Sequence, residues 1–197
     1  MPAPNPAARL VRRDGLALVV VDVQDRLAAV MHRRDDVVRV ATTLLRIAAV
    51  LRVPVLVTRQ YPKGLGDTVA ELVAESDGAI ARGASITVVD KTDFDCMAEP
   101  AFRNALAATG RTHVALAGME THICITQTAL ALAADGYTPH VVADAVCSRR
   151  DADNDVALDR LRSAGVDVLP SESLIYEALG RSGTPEFRAV LEVVKGS

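Results

Sequence analysis

The run LALVVVDV, from Leu16 to Val23, constrains the fold more than any other feature of the sequence. A strand with one solvated face alternates apolar and polar residues, whereas this run is almost continuously apolar and rich in valine. Such a strand is buried on both of its faces. The run therefore predicts a parallel sheet that helices cover on both sides.

The rest of the chain repeats the same succession of apolar run, turn and helical periodicity, with no internal repeat or long linker. After the first strand, further strands are predicted at Val53–Thr58, Ser85–Asp90, His113–Gly118, Pro139–Asp144 and Val166–Pro170. Helices are predicted at Asp35–Leu51, Met97–Thr109, Ile123–Ala134, Asp151–Ala164, Ser171–Leu179 and Pro185–Val194. Alternation of this kind predicts right-handed β-α-β units and a three-layer α/β/α fold with a six-stranded, mostly parallel sheet.

Length and composition narrow the class of protein. A chain of 197 residues fits a single domain, residues 1–197. The net charge of −3 and the absence of a dense Lys/Arg block argue against a nucleic-acid partner. No apolar run is long enough to span a membrane, and the proline-rich start lacks the apolar segment of a signal peptide. Three cysteines without a CxxC motif predict no disulfide framework and favour a cytoplasmic protein.

Three residues that follow predicted strands form a chemical set at one edge of the sheet. Ligands of open parallel sheets bind beyond the carboxyl ends of the strands, where Asp22, Lys91 and Cys124 are expected. Cys124 stands at the start of a predicted helix, where backbone N–H groups and a nearby ammonium would lower the pKa of a thiol. Asp22 could take the thiol proton and return it to a leaving amine. The set predicts nucleophilic catalysis on a carbonyl group.

The sequence resembles the isochorismatase-like cysteine hydrolases, which include nicotinamidases, in three separate stretches. These are LVVVDVQD around Asp22, VVDKTDFD around Lys91 and LAGMETHICI around Cys124. The resemblance extends from about Gly15 to Pro170. It implies that Asp22, Lys91 and Cys124 form the catalytic triad, that the strand order is 3-2-1-4-5-6, and that the Met119–Glu120 peptide bond is cis.

The sequence departs from some members of that family in ways that bear on the substrate. Nicotinamidases carry an Asp-x-His metal motif after the second strand, where this chain reads TRQYPKGLGDT. We therefore predict neither a catalytic metal nor another cofactor, and nicotinamide becomes a less favoured substrate. Isochorismatases that cleave a vinyl ether generally lack the nucleophilic cysteine, so Cys124 favours carbonyl chemistry, with a small amide or ureide as the substrate class.

Five further residues are candidates for contact with the substrate or its oxyanion. Backbone N–H groups near the Met119–Glu120 peptide and Cys124 could hold an oxyanion. Glu120 could instead contact a neighbouring subunit. Gln24 could orient Asp22 or simply make a strand-end hydrogen bond. Phe94 and Tyr61 follow strand ends and could form an apolar wall or pack ordinarily.

One geometric difficulty concerns Lys91. In the implied order the third strand lies two positions from the first, a separation of about 10 Å. The loop KTDFD and the long lysine side chain must fold inward to close that gap.

Two rival hypotheses keep the fold but change the function. The chain could be an oligomeric binding or scaffold protein of low activity, with the alanine-rich helices packed between subunits; the family resemblance itself favours a homo-oligomer, a dimer or larger. A flavodoxin-like nucleotide-binding protein also fits the sheet, but the chain lacks a glycine-rich phosphate loop after the first strand.

Overall fold

The computed structural model describes residues 10–196 and contains one six-stranded sheet in the order β3-β2-β1-β4-β5-β6. Every neighbouring pair of strands is parallel. The strands are β1 (Leu16–Val21), β2 (Val55–Gln60), β3 (Ile86–Lys91), β4 (His113–Met119), β5 (Thr138–Cys147) and β6 (Asp167–Leu169). The predicted three-layer architecture and the strand order are confirmed. The segment 1–9, on which the signal-peptide prediction partly rests, and residue 197 lie outside the described residues.

Nine helices cover the two faces of the sheet within residues 10–196. They are α1 (Asp25–Ala28), α2 (Arg34–Leu51), α3 (Pro62–Leu65), α4 (Ala70–Ala81), α5 (Pro100–Ala108), α6 (Thr126–Ala134), α7 (Asp151–Ser163), α8 (Ser171–Leu179) and α9 (Pro185–Lys195). No helix among the described residues combines the length and the apolar character that crossing a membrane would require.

The core lies on both sides of the sheet, as the valine-rich first strand predicts. Every residue of β1 is buried, and its side chains enter two separate clusters. Leu18 and Val20 pack in the cluster that contains α2, while Val19 and Val21 pack in the cluster that contains α5 and α6. The alanine-rich helices α5 and α6 therefore bury their apolar sides against their own sheet.

Element boundaries differ from the prediction where polar residues end a strand. β2 ends at Gln60 rather than Thr58, and β3 ends at Lys91 rather than Asp90. Pairing in register with each other extends both strands, because Gln60 lies opposite Lys91. The helices α1, α3 and α4 are not predicted from the sequence, and α5 begins at Pro100, after a 3₁₀ turn.

Gly118 allows β4 to approach β1 closely at the carboxyl edge of the sheet. Its backbone has φ 121°, and a Cβ atom at this position would overlap the carbonyl oxygen of Val21. A side chain therefore cannot be accommodated without moving one of the two strands. This contact positions the turn after β4 next to the end of β1.

Candidate active site

Asp22 follows β1 directly and is completely buried at the carboxyl edge of the sheet. Its φ of 54° lies in the left-handed region that few non-glycine residues adopt, although aspartate tolerates it better than most. The Asp22 amide donates to the carbonyl of Thr58, and the Thr58 hydroxyl donates to Asp22 Oδ1 at 2.7 Å. The carboxylate is thus fixed by the adjacent strand.

Lys91 crosses the end of β2 to reach Asp22, which resolves the expected gap between β3 and β1. Its Nζ donates to Asp22 Oδ2 at 2.6 Å, and neither side chain is exposed. Because β3 continues to Lys91 itself, the lysine side chain starts above the level at which β1 ends. The following turn places the Asp93 carbonyl 3.2 Å from Nζ as a further acceptor.

A pair of buried glutamines supports this arrangement. Gln60 Oε1 accepts a hydrogen bond of 2.6 Å from Lys91 Nζ. Gln24 donates from Nε2 to the Gln60 and Gly66 carbonyls and accepts from the Gln60 amide. Gln24 was a candidate for contact with the substrate, for orienting Asp22, or for a hydrogen bond at a strand end. In the structure its side chain bonds the end of β2 and Gly66, which corresponds to the last of these alternatives.

Cys124 lies in a turn of π-helix, Thr121–Ile125, that precedes α6. Residues around it anchor this turn to its neighbours. The Thr121 hydroxyl donates to Asn154 Oδ1 at 2.7 Å, and His122 Nδ1 lies 2.8 Å from Ser148 Oγ. Single turns of π-helix occur frequently at functional sites. The cysteine is thus held on a fixed turn at the edge where Asp22 and Lys91 meet.

The protonation chemistry of Cys124 differs from the expectation that its pKa is lowered. Burial raises the pKa of this thiol most strongly, and the negative charge of Asp22 and an interaction with that carboxylate raise it further. Lys91 lowers the pKa of the thiol but is outweighed. The Cys124 thiol therefore keeps its proton at neutral pH.

The ammonium of Lys91 keeps its proton in the same environment. Burial lowers its pKa, but the negative charge of Asp22, the neighbouring Cys96 and Cys124 sulfurs and the hydrogen bond to Asp22 together raise it above the ordinary value of 10.5. The pair consists of an ammonium and a carboxylate that stabilise each other.

The other predicted contacts surround this centre at different depths. Glu120 is 4% exposed, and its Oε2 accepts from the backbone amide and from Nε of Arg149. The Met119–Glu120 peptide bond is cis, as the resemblance implies, and Met119 is fully buried. Tyr61 and Phe94 are about half exposed, and Tyr61 lines an open cleft beside Lys91.

Three residues of the site were missed by sequence reasoning. Thr58 is the last residue of the predicted β2 and Gln60 lies two residues beyond it, and that position was the only signal they gave. Cys96 is completely buried, and burial raises its pKa to about 11, with opposing influences from Lys91 and Asp22. A second sulfur therefore lies near the ammonium–carboxylate pair.

The side chains do not fit the metal centre that the resemblance associates with nicotinamidases. Within residues 10–196, no three His, Cys, Asp or Glu side chains cluster as metal ligands. The end of β2 supplies Arg59 and Gln60, whose polar atoms bond Asp90, Asp67, Thr92 and Lys91. No step of the chemistry below uses a metal.

Comparison with known families identifies the family of the chain. The isochorismatase domain model matches residues 16–173, which is most of the chain. The chain belongs to the isochorismatase family. Members of this family are typically hydrolases, and the predicted relationship is confirmed.

Two isochorismatase relatives show how far the similarity extends. Isochorismatase domain-containing protein 2 of Bos taurus is 37% identical over 196 residues, covering 99% of this chain and 90% of the relative. Isochorismatase domain-containing protein 1 of Salmo salar is 40% identical over 177 residues, covering 89% of this chain but 59% of the relative. The chain thus spans little more than half the length of the salmon protein.

Solved structures share the fold of this chain. The MAR1 ribonuclease of Caenorhabditis elegans is 32% identical, with a TM-score of 0.85 over 94% of this chain and 92% of that structure. The Staphylococcus aureus nicotinamidase (18% identity, TM-score 0.72, covering 79% and 99%) and the Escherichia coli YcaC product, described as an octameric hydrolase of unknown specificity (20% identity, TM-score 0.79, covering 98% of each), share the fold.

Proposed function

We propose that this protein is a cysteine hydrolase that cleaves a C–N bond of a small amide or ureide without a metal. Asp22, Lys91 and Cys124 are its catalytic residues. The observation that supports this most directly is the buried Lys91–Asp22 ion pair of 2.6 Å, whose carboxylate also interacts with the Cys124 thiol. A buried charge pair beside a thiol, at the carboxyl edge of a parallel sheet, suits proton transfer coupled to nucleophilic attack.

The first half of the proposed reaction forms an acyl-enzyme. Asp22 takes the Cys124 proton as the sulfur attacks the substrate carbonyl carbon, and the carbonyl oxygen becomes an oxyanion. Backbone N–H groups near Glu120 and Cys124 hold this oxyanion. The adduct collapses, the C–N bond breaks, and the leaving amine receives the proton from the Asp22 carboxyl. A thioester on Cys124 remains.

The second half releases the acid and restores the enzyme. Asp22 removes a proton from a water molecule that attacks the thioester carbonyl. The C–S bond breaks, and the thiolate recovers the proton that Asp22 holds. Throughout the cycle the ammonium of Lys91 balances the negative charge that moves between Asp22 and the sulfur.

A panel of amides and ureides with ammonia detection tests this function, run on the wild type beside Cys124→Ala. We expect loss of turnover by a factor of about 10³ or more in Cys124→Ala, because the nucleophile is removed, while the folded state persists. Cys147→Ala is the matched control, because Cys147 is also buried but belongs to the opposite core cluster. Normal turnover by Cys124→Ala contradicts the mechanism.

The same panel distinguishes two other functions. The name of the C. elegans structure includes a ribonuclease, so single-stranded RNA is one arm of the panel. The net charge of −3 makes RNA the less favoured substrate. A protein that folds, assembles and turns over none of these substrates would instead be the binding or scaffold protein of the rival hypothesis.

We also propose that the protein assembles as a homo-oligomer in the cytoplasm. The octamer described for the E. coli YcaC product supports assembly. Half-exposed apolar side chains on and beside the outermost strand of the sheet support it as well, namely Val88 of β3 and Val73 and Ile80 of α4. The three cysteines are free, which fits a reducing compartment. Light scattering on the purified protein measures the assembly, and a monomer contradicts it.

A further inference from the structure

The ammonium of Lys91 has no N–H left to offer a substrate in this structure. Its three acceptors are Asp22 Oδ2 and Gln60 Oε1, both at 2.6 Å, and the Asp93 carbonyl at 3.2 Å. An ammonium carries three donors, so these three acceptors use all of them. Lys91 therefore acts on the reaction through Asp22 and through its charge.

The orientation of the Gln60 amide follows from its two neighbours. Gln60 Nε2 donates to the Thr92 carbonyl at 2.6 Å, and a carbonyl can only accept. Oε1 must then face Lys91 Nζ, which can only donate. A flipped amide would set donor against donor and acceptor against acceptor. The hydrogen-bond network thus fixes an acceptor on the ammonium.

The Gln60 backbone is held as firmly as its side chain. Gln24, which is completely buried, accepts from the Gln60 amide at 2.7 Å and donates to the Gln60 carbonyl at 3.1 Å. The same Gln24 amide donates to the Gly66 carbonyl at 2.7 Å. One glutamine therefore clamps the strand end from which the other reaches the ammonium.

We propose that Gln60 is a positioning residue, which keeps the Lys91 ammonium charged and directed at Asp22, and that Gln24 holds Gln60 in place for this purpose. The inference rests on the proposed function, because it assigns a task within the same centre. A hydrogen-bond acceptor favours the charged form of its donor, and a buried ammonium that loses one acceptor loses part of that support.

Lysine NMR tests the inference without any substrate. The chain has three lysines, and Lys63 and Lys195 are exposed, so they serve as internal references for Lys91. With ¹³Cε-labelled lysine, Lys91 in the wild type is expected to stay protonated where the two references titrate. In Gln60→Met the Lys91 titration should fall by about one pH unit or more relative to the wild type. Gln127→Met, an exposed site on α6, is the control.

Two further variants separate the acceptor from simple packing. Gln60→Asn withdraws the amide oxygen by one methylene and should lower the titration in the same direction, which keeps the test open if Gln60→Met does not fold. Gln60→Glu restores an acceptor and should keep Lys91 protonated. A Lys91 titration that is unchanged from the wild type in every folded Gln60→Met or Gln60→Asn protein overturns the inference, as does Gln60→Glu behaving like Gln60→Met.

The NMR measurement needs no substrate, so its result does not depend on whether the protein is a hydrolase. If an amide substrate is found, the alkaline limb of kcat/KM should move to lower pH in Gln60→Met together with the Lys91 resonance. A shifted resonance combined with full turnover in Cys124→Ala contradicts the proposed function alone. An unshifted resonance combined with an inactive Cys124→Ala contradicts the role of Gln60 alone.

Discussion

Two buried polar networks occupy opposite edges of the sheet, and each joins three adjacent strands. At the carboxyl edge, Lys91 of β3 bonds Gln60 of β2 and Asp22 after β1. At the amino edge, His113 of β4, His140 of β5 and Asp167 of β6 form a chain in which His140 lies 2.9 Å from each of the other two. Lys91, which is almost completely buried, bonds both other members of the first network, and the fully buried His140 contacts both other members of the second.

The difference between these networks is what each leaves available for chemistry. At the amino edge the polar groups bond one another, and His140 lies between His113 and the Asp167 carboxylate. At the carboxyl edge the carboxylate interacts in addition with the thiol of Cys124. A buried polar network does not by itself indicate a reaction site. The network at the carboxyl edge is a candidate because a thiol lies beside it at the carboxyl ends of the strands.

The largest effect is expected from a glycine substitution at the carboxyl edge, with a glycine substitution at the amino edge as its control. Gly118→Ala places a Cβ atom against the Val21 carbonyl oxygen, so β4 and β1 must separate where the site forms. We expect a loss of more than about 4 kcal/mol in the free energy of unfolding, or no folded protein. Gly165→Ala before β6 also has positive φ but open space around the new Cβ, and should cost about 1–2 kcal/mol. Urea unfolding measures both, and equal costs contradict the close approach.

The next effect comes from removing one charge at each edge. Lys91→Met leaves the Asp22 carboxylate buried without its partner and should cost about 3–5 kcal/mol of unfolding free energy, as well as activity. Asp167→Asn at the amino edge should cost only about 1 kcal/mol, because its side chain is 33% exposed. The double variant Asp22→Asn/Lys91→Met should recover stability relative to Lys91→Met. If Lys91→Met is as stable as the wild type, Lys91 and Asp22 do not form a buried ion pair.

A smaller effect is expected for Thr58→Val, which keeps the shape of the side chain but removes the hydroxyl that bonds Asp22. The loss should be about 1.5–3 kcal/mol, the usual range for a hydrogen bond to a charged group. Thr109→Val is a comparable control, because the Thr109 hydroxyl bonds only backbone groups of its own turn. Chemical denaturation compares the variants, and a Thr58 cost no larger than the Thr109 cost counts against the assigned contact.

The smallest effect is the dependence of stability on pH. The amino edge should lose stability below neutrality, and the carboxyl edge should lose it above neutrality. Burial lowers the pKa of His113 and of His140 below the ordinary 6.5. The unfolded state then binds more protons than the folded state as the pH falls through 6.5, so this edge loses stability in acid. The pKa of Lys91 is raised above 10.5. Its contribution is complete below 10.5 and is lost only as the pH rises through the folded-state pKa.

Urea unfolding at about pH 7.5 and about pH 5.5 measures the acid side of this prediction. We expect the wild type to lose on the order of 1 kcal/mol between the two conditions, with the partly exposed His113 contributing less than His140. The variant His113→Gln/His140→Gln should lose less, whereas Thr109→Val should keep the wild-type slope. Equal slopes in all three proteins would show that the acid response arises elsewhere.

The sequence by itself determined the architecture of this protein and indicated Asp22, Lys91 and Cys124 as the candidate reacting groups. The apolar run at Leu16 predicted a doubly covered strand because burial on both faces excludes alternating polar residues. The strand ends predicted Asp22, Lys91 and Cys124 at one edge because all strands of a parallel sheet end on the same side. Short helices such as α3, and the exposed α4, have too little periodicity for such a prediction.

Only the tertiary structure decided how those groups interact. Whether Lys91 reaches Asp22 depends on strand register and on the turn that brings the Asp93 carbonyl to Nζ, and neither leaves a pattern in the sequence. The raised pKa of the Cys124 thiol depends on burial and on a carboxylate that is distant in the chain. The periodicity of one segment indicates which of its residues are buried. The distances between charged groups depend on how several segments pack together, so one segment of sequence does not give them.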